Sequence, residues 1–121
     1  MSSLLRKIDS IYLFVEKIKE SSHWYSKVLK MPLEIDDDNF ALIRIGECEL
    51  CFHLADSKSP CTTGGSVGYW RVENLIEAAE RFKVEGGIVY RGPIKIPGTT
   101  VGICQIKDPF GNAIGLQGHY V

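Results

Sequence analysis

Three groups of side chains have the types and spacing for chemistry. Cys48 and Cys51 form a C-x-x-C pair, the spacing of redox dithiols and of some zinc sites. Their context argues against both uses. Cys48 to Leu54 reads as a strand, where residues three apart point to opposite faces. Redox pairs normally open a helix, which stabilises the thiolate. Glu49, Cys51 and His53 alternate, so they share one strand face and offer O, S and N donors. Successive same-face residues lie roughly 6.6–6.8 Å apart along a strand, wide for three ligands on one ion. They are expected to be a lone carboxylate, a small buried thiol and a rim histidine. Asp36-Asp37-Asp38-Asn39 is acidic, but it lacks the alternating spacing, central glycine and distal glutamate of a calcium loop. It reads as a turn. His23 falls on the polar side of a helix and His119 near the C-terminus, neither with an obvious partner. The chain has no Ser/His/Asp arrangement and no phosphate loop.

The elements that position these groups follow from periodicity. Ile8 to Val15 is a strand with Ile11, Leu13 and Val15 on one face and Ser10, Tyr12 and Phe14 on the other. A helix follows over about Lys17 to Leu29, with Ile18, Tyr25, Val28 and Leu29 near one stripe and Ser21 to Lys27 on the polar side. Met31-Pro32 ends it. Leu33 to Ile35 is a short strand. Phe40 to Ile45 and Glu47 to Leu54 form a hairpin about Gly46. Asp56 to Ser66 is a linker by composition. Val67 to Val72 is the next strand. A helix over about Leu75 to Glu85 starts at a capping box, Asn74 with Glu77, and stops at Gly86-Gly87. Leu75, Ala78, Ala79 and Phe82 form its apolar face. Ile88 to Tyr90 is a strand, Gly92 to Gly98 a Pro/Gly loop, and Thr99 to Ile106 a further strand. Asp108-Pro109-Phe110-Gly111-Asn112 is a tight turn into the last one, where Ile114 and Leu116 share a face.

The order is strand, helix, three strands, given twice. Val15-Glu16-Lys17-Ile18-Lys19-Glu20 echoes Val72-Glu73-Asn74-Leu75-Ile76-Glu77 where each strand hands over to its helix. The shared pattern and position suggest duplication of a βαβββ module. One domain over residues 1–121 is expected, with module one at about 8–55, a linker at about 56–66 and module two at about 67–118. The composition, 45% hydrophobic, suits a packed core. The net charge of −1, with acids and bases interspersed, leaves no basic stripe for nucleic acid. No apolar run approaches the roughly 18–20 residues of a membrane span, and Met1 to Lys7 has no signal-peptide pattern. A cytoplasmic location with reduced thiols at Cys48, Cys51, Cys61 and Cys104 is the expectation.

The turn Asp108-Pro109-Phe110-Gly111-Asn112, the helix pattern Trp24-Tyr25 with Val28-Leu29, and Val72-Glu73-Asn74-Leu75 together resemble the vicinal oxygen chelate superfamily. That superfamily includes glyoxalase I, extradiol dioxygenases and the fosfomycin and bleomycin resistance proteins. The resemblance runs from about Ile8 to Gln117. It implies an α+β fold in which two βαβββ modules form a curved mixed sheet around a concave cleft, with the helices outside. It also implies that metal ligands in the family's enzymes come from four strand positions facing the concavity. Carried over, these fall on Ser10, Glu49, Val67 and Gly115. Only Glu49 is an ordinary ligand, and valine and glycine offer no side-chain donor. No metal, no cofactor and no catalytic residue is therefore expected, in the manner of the metal-free bleomycin resistance proteins.

Within that fold, alternation assigns the lining of the concavity to Ser10, Tyr12, Phe14, Glu49, Cys51, Val67, Tyr69, Arg71, Ala113, Gly115 and Gln117. This is an apolar, aromatic surface with few polar groups, as small-molecule pockets usually are. Glu49 among aromatic rings points to a cationic ligand. Arg71 would oppose that if it neutralised Glu49. Trp24 could extend the wall, whereas Trp70 faces the helices by phase. The leading expectation is a metal-free binder that sequesters a small hydrophobic or cationic aromatic compound, a drug-resistance role. The alternatives are a metal-dependent lyase or dioxygenase of the same superfamily, and an interaction module whose concavity is filled by its own side chains. A homodimer is expected, because sheet edges are usually covered and a partner chain commonly covers them in this family.

Overall fold

The computed structural model describes residues 3–121. The chain divides into two compact units, one ending at Ala55 and the other running from Asp56 to Val121. Each carries one four-stranded sheet and one helix.

In the first unit the strands are β1 (Ser10–Val15), β2 (Ile35–Asp36), β3 (Phe40–Ile45) and β4 (Cys48–Leu54), and the helix is α1 (Ile18–Leu29). The sheet order is β1-β4-β3-β2. The β1–β4 pair is parallel, and β3 is antiparallel to both of its neighbours. The hairpin between β3 and β4 turns on Gly46-Glu47, with Gly46 at φ +60° and Ile45 paired to Cys48. One face of this sheet is the core: Leu13, Val15, Ala41, Ile43, Leu50 and Phe52 are buried there, and α1 contributes Ile18, Tyr25 and Val28. The Tyr25 ring packs 5.5 Å from that of Phe52.

Two details of α1 depart from expectation. Ser21 and Ser22, placed on the polar side by type, are fully buried. The helical stripe through Ile18, Tyr25 and Val28 passes through their positions, and position outranks polarity. Ser22 Oγ donates back to the Lys19 carbonyl at 3.3 Å. The helix then ends on Lys30, at φ 54° and ψ 45°. Its N–H reaches Lys27 O, and Met31 N–H reaches Ser26 O. This is a Schellman closure on a non-glycine residue.

The second unit repeats the order: β5 (Tyr69–Asn74), α2 (Leu75–Val84), β6 (Ile88–Lys95), β7 (Val101–Lys107) and β8 (Ala113–His119), in sheet order β5-β8-β7-β6. Its β5–β8 pair is again parallel, and the others are antiparallel. The Asn74 side chain accepts from Glu77 N–H at 3.0 Å, as the capping pattern implies. Leu75, Ala79 and Phe82 are buried under α2. That helix closes on Gly86 at φ +103°, with Gly87 N–H bonded to Phe82 O. Both units thus end their helix in the same way, which agrees with a duplicated module.

Three boundaries are corrected. The short strand after α1 is Ile35–Asp36, not Leu33 to Ile35. Pairing in the second unit begins where Gly68 O accepts from Gly115 N–H, so Val67 lies ahead of β5 and strand alternation does not orient it. The segment read as a loop from Gly92 is strand as far as Lys95. β6 is an outer strand with register shifts between Val89 and Ile94, where Pro93 need not serve a ladder on both sides.

Candidate functional site

The face of each sheet turned away from its helix carries the expected lining residues apart from Val67, which precedes β5. In the first unit, parallel pairing sets Ser10 beside Glu49, Tyr12 beside Cys51 and Phe14 beside His53. The β3–β4 hairpin adds Arg44 beside Glu49, Leu42 beside Cys51 and Phe40 beside His53. Three cross-strand rows result. The outer row is aromatic. The Tyr12 ring lies 6.2 Å from Phe14, 6.1 Å from Phe40 and 6.5 Å from His53, and Phe14 lies 5.5 Å from His53. Tyr12 is 47% exposed, so this cluster meets solvent.

Cys51 lies in the same rows but is buried, so it contributes volume beneath the aromatic cluster and no open surface. Burial pushes its thiol pKa up, and the neighbouring Glu49 carboxylate adds to the effect. Burial does the same to Cys104. All four cysteines are free thiols.

Glu49 is not a lone acid. Arg44 Nη2 donates to its Oε2 at 2.7 Å, while Arg44 Nε donates to Glu34 Oε2 at 2.8 Å. One guanidinium bridges two carboxylates, leaving one formal negative charge on the triad. His23 also has a partner, contrary to expectation. Its Nε2 sits 3.0 Å from both Asp36 oxygens, and Lys19 Nζ reaches Asp36 at 3.2 Å. Together they hold the Asp36 carboxyl below its usual range.

In the second unit, Tyr69 pairs with Gly115 and Arg71 with Gln117 across β5–β8, while β7 sets Gln105 beside Gly115. Gly115 is buried because the Tyr69 ring lies over it. A Cβ built there would meet ring atoms at 2.6–2.8 Å. The ring reaches across β8, and Gln105 Nε2 donates to Tyr69 Oη at 2.8 Å. Tyr90 Oη donates to Gln105 Oε1 at 2.6 Å. Trp70, in the opposite phase, pairs beside buried Leu116 and is half-buried. Arg71, Val72, Glu73, Thr100, Val101 and His119 line a cavity of about 460 Å³ in this unit.

Among the described residues there is no group of three or more His, Cys, Asp or Glu side chains placed to hold a metal ion. Glu49, Cys51 and His53 share a face without forming one. No described helix is long and apolar enough to cross a membrane.

Sequence reading missed Arg44, Glu34, Phe40, Gln105 and Tyr90. Arg44 and Phe40 were recoverable, since a two-residue turn at Gly46-Glu47 dictates that Arg44 faces Glu49 and Phe40 faces His53, whereas Glu34 lies outside that hairpin. Gln105 and Tyr90 were not. Their meeting with Tyr69 depends on a strand order that crosses the sequence.

A family model described as Glyoxalase/Bleomycin resistance protein/Dioxygenase superfamily matches residues 7–116. No curated protein matches the chain in sequence. Among solved structures, a lactoylglutathione lyase from Agrobacterium tumefaciens is 15% identical, with TM-score 0.74 over 96% of each chain. A glyoxalase/bleomycin resistance protein/dioxygenase family enzyme from Burkholderia phytofirmans is 12% identical, with TM-score 0.77 over 94% of this chain and 99% of that one. An antibiotic binding protein from a Streptomyces species is 20% identical, with TM-score 0.71 over 98% of this chain and 99% of that one. At such identities the likeness is one of fold.

Proposed function

The chain belongs to the Glyoxalase/Bleomycin resistance protein/Dioxygenase superfamily, and on that premise we propose that it is a metal-free binder of small planar aromatic molecules, with a preference for cations. The observation that carries this reading is the solvent-facing cluster of Tyr12, Phe14, Phe40 and His53 beside the Glu34–Arg44–Glu49 triad. Ring faces attract flat aromatic ligands and cations alike. The triad's uncompensated carboxylate favours positive charge. Fold likeness to an antibiotic binding protein is consistent with sequestration of such a compound.

The donor set supports the metal-free part of the reading. Of the four positions carried over from the family resemblance, Glu49 is engaged by Arg44, Gly115 lies under the Tyr69 ring, and Val67 has no donor. Ser10 offers one hydroxyl. A divalent ion needs several N, O or S donors converging on it. Binding of a small molecule by a homodimer in the cytoplasm completes the proposal. The outer strands of each sheet, β1 and β2 or β5 and β6, are the edges a partner chain commonly covers.

A thermal-shift titration with the acridine dye proflavine, a neutral anthracene of similar size, and Zn²⁺ or Mn²⁺ tests it. A ligand that binds only the folded state stabilises it by about RT ln(1 + [L]/Kd). Proflavine is expected to raise the midpoint more than the neutral ring does. Tyr12→Ala should abolish both responses, and Glu49→Gln should remove only the difference between them. A response to metals alone would restore the enzyme reading. Silence across the panel would favour a face that docks protein instead.

A further inference from the structure

Where β8 finishes and β7 begins, Arg71, Val72, Glu73, Thr100, Val101 and His119 line the cavity of about 460 Å³. The whole lining belongs to the second unit. Strand pairing sets Arg71 beside Gln117 and His119 between Asn74 and Val101. Glu73 is placed by an irregularity. Val72 pairs with Gly118 and Asn74 with His119, so Glu73 is an extra residue with no opposite on β8. A bulge of this kind re-aims a side chain and is common beside active sites. A guanidinium and a carboxylate therefore share one cavity. Among the described residues, the side chains of Arg71, Glu73, Thr100 and His119 have no ion-pair or hydrogen-bond partner. Arg44 in the first unit, by contrast, is occupied by two carboxylates.

We propose that this cavity binds the head of a free α-amino acid, an ammonium and a carboxylate on one carbon. The site lies within the second unit and owes nothing to the aromatic face of the first. Its charge pattern selects the ligand class. A simple anion held by Arg71 would face the Glu73 carboxylate, and a simple cation held by Glu73 would face the Arg71 guanidinium. A like charge so placed acts against the wrong partner. A zwitterion gives each protein charge an opposite one and leaves neither unmatched. The planar fork of Arg71 suits the two carboxylate oxygens, and the Glu73 carboxylate accepts from the ammonium. Residues two apart lie roughly 6.6–6.8 Å from each other in a regular strand, so two long side chains reach one small ligand. The Thr100 hydroxyl and the His119 ring add polar contacts, and Val101 offers apolar surface to the ligand's side chain. The volume falls within the roughly 300–1,000 Å³ of small-molecule sites.

The test is an NMR titration with three aliphatic probes, chosen without rings so that the aromatic face of the first unit does not compete. They are L-leucine, isoamylamine, which lacks the carboxylate, and isocaproate, which lacks the ammonium. Leucine is expected to shift the Arg71, Val101 and His119 signals. It should bind about tenfold more tightly than either analogue, the scale of one charged hydrogen-bonded contact at an open site. Arg71→Gln should bring leucine down to the affinity of isoamylamine without weakening isoamylamine itself. Glu73→Gln should bring leucine down to the affinity of isocaproate without weakening isocaproate. Both side chains are exposed, so both variants should stay folded by circular dichroism. Equal affinity for the three probes, a preference for leucine that survives in both variants, or no binding of leucine to the native protein overturns the assignment. Tightest binding by isocaproate overturns it in favour of a simple anion site.

Discussion

The Ser21 hydroxyl is fully buried in α1 and has no hydrogen-bond partner among the described residues. An unsatisfied buried hydroxyl costs about 1–3 kcal/mol, and serine is also a poorer helix former than alanine. Ser21→Ala is therefore expected to stabilise the protein by about 1 kcal/mol, read as a higher urea midpoint at unchanged slope. A lower midpoint would show that the hydroxyl has a partner in solution. The residues of the proposed site divide in the same way between what type and what place explain. Tyr12 and Phe14 were legible from alternation, because a strand's side-chain period is two. The pairing of Glu49 with Arg44 was not read out, although the hairpin register already contained it. Cys51 lies on the expected face and is the buried thiol expected there, although its burial takes it out of the open lining of that face.

Among the elements, the turn before β8 is the most constrained. Asp108 is buried, and its Oδ1 accepts from Phe110 N–H at 2.8 Å and Asn112 N–H at 3.0 Å. Gly111 stands at φ +99°, and Cys61 Sγ reaches Phe110 O at 3.1 Å, tying the segment after Asp56 to this turn. Hydrogen bonds to an ionised acceptor contribute roughly 1.5–3 kcal/mol each. Asp108→Ala should then cost about 3 kcal/mol by chemical unfolding. Asp108→Asn, which keeps an acceptor, should cost less. An Ala variant as stable as the native chain would mean that water replaces the carboxylate without loss. The composition Asp-Pro-Phe-Gly-Asn was enough to place a turn here. It was not enough to show the role of Cys61, which arrives from a segment read as a linker.

For the molecule as a whole, charge is nearly balanced, and its pH response is carried by local clusters. Asp36 is the clearest. His23 and Lys19 lower its pKa below the usual 3.8, and the pair joins α1 to β2. A depressed carboxyl favours folding above its unfolded value of 3.8, and that advantage is lost as pH falls through the lower folded value. Asp36→Asn should lower the urea midpoint at neutral pH, and the gap should close as pH falls below 3.8 through the lowered folded-state value. The group is exposed, so added salt should also narrow the gap. A gap that persists in acid would assign the loss to packing and not to charge.

What the sequence determined by itself was local or repetitive. Helix and strand periods, the Gly46 hairpin, the Asn74 cap, the Asp108 turn and the doubled βαβββ order are each written in residues close together in the chain. These sufficed for the α+β class and, with the resemblance, for the family. The tertiary structure alone decided which residues meet across strands that are distant in sequence. It sets Ser10 beside Glu49, buries Ser21, gives His23 to Asp36, and carries the Tyr69 ring over Gly115 to Gln105. The physical reason is that a hydrogen bond between far-separated side chains leaves no period in the sequence. It appears only when the backbone ladders have set the strand order and register that bring the two groups within reach.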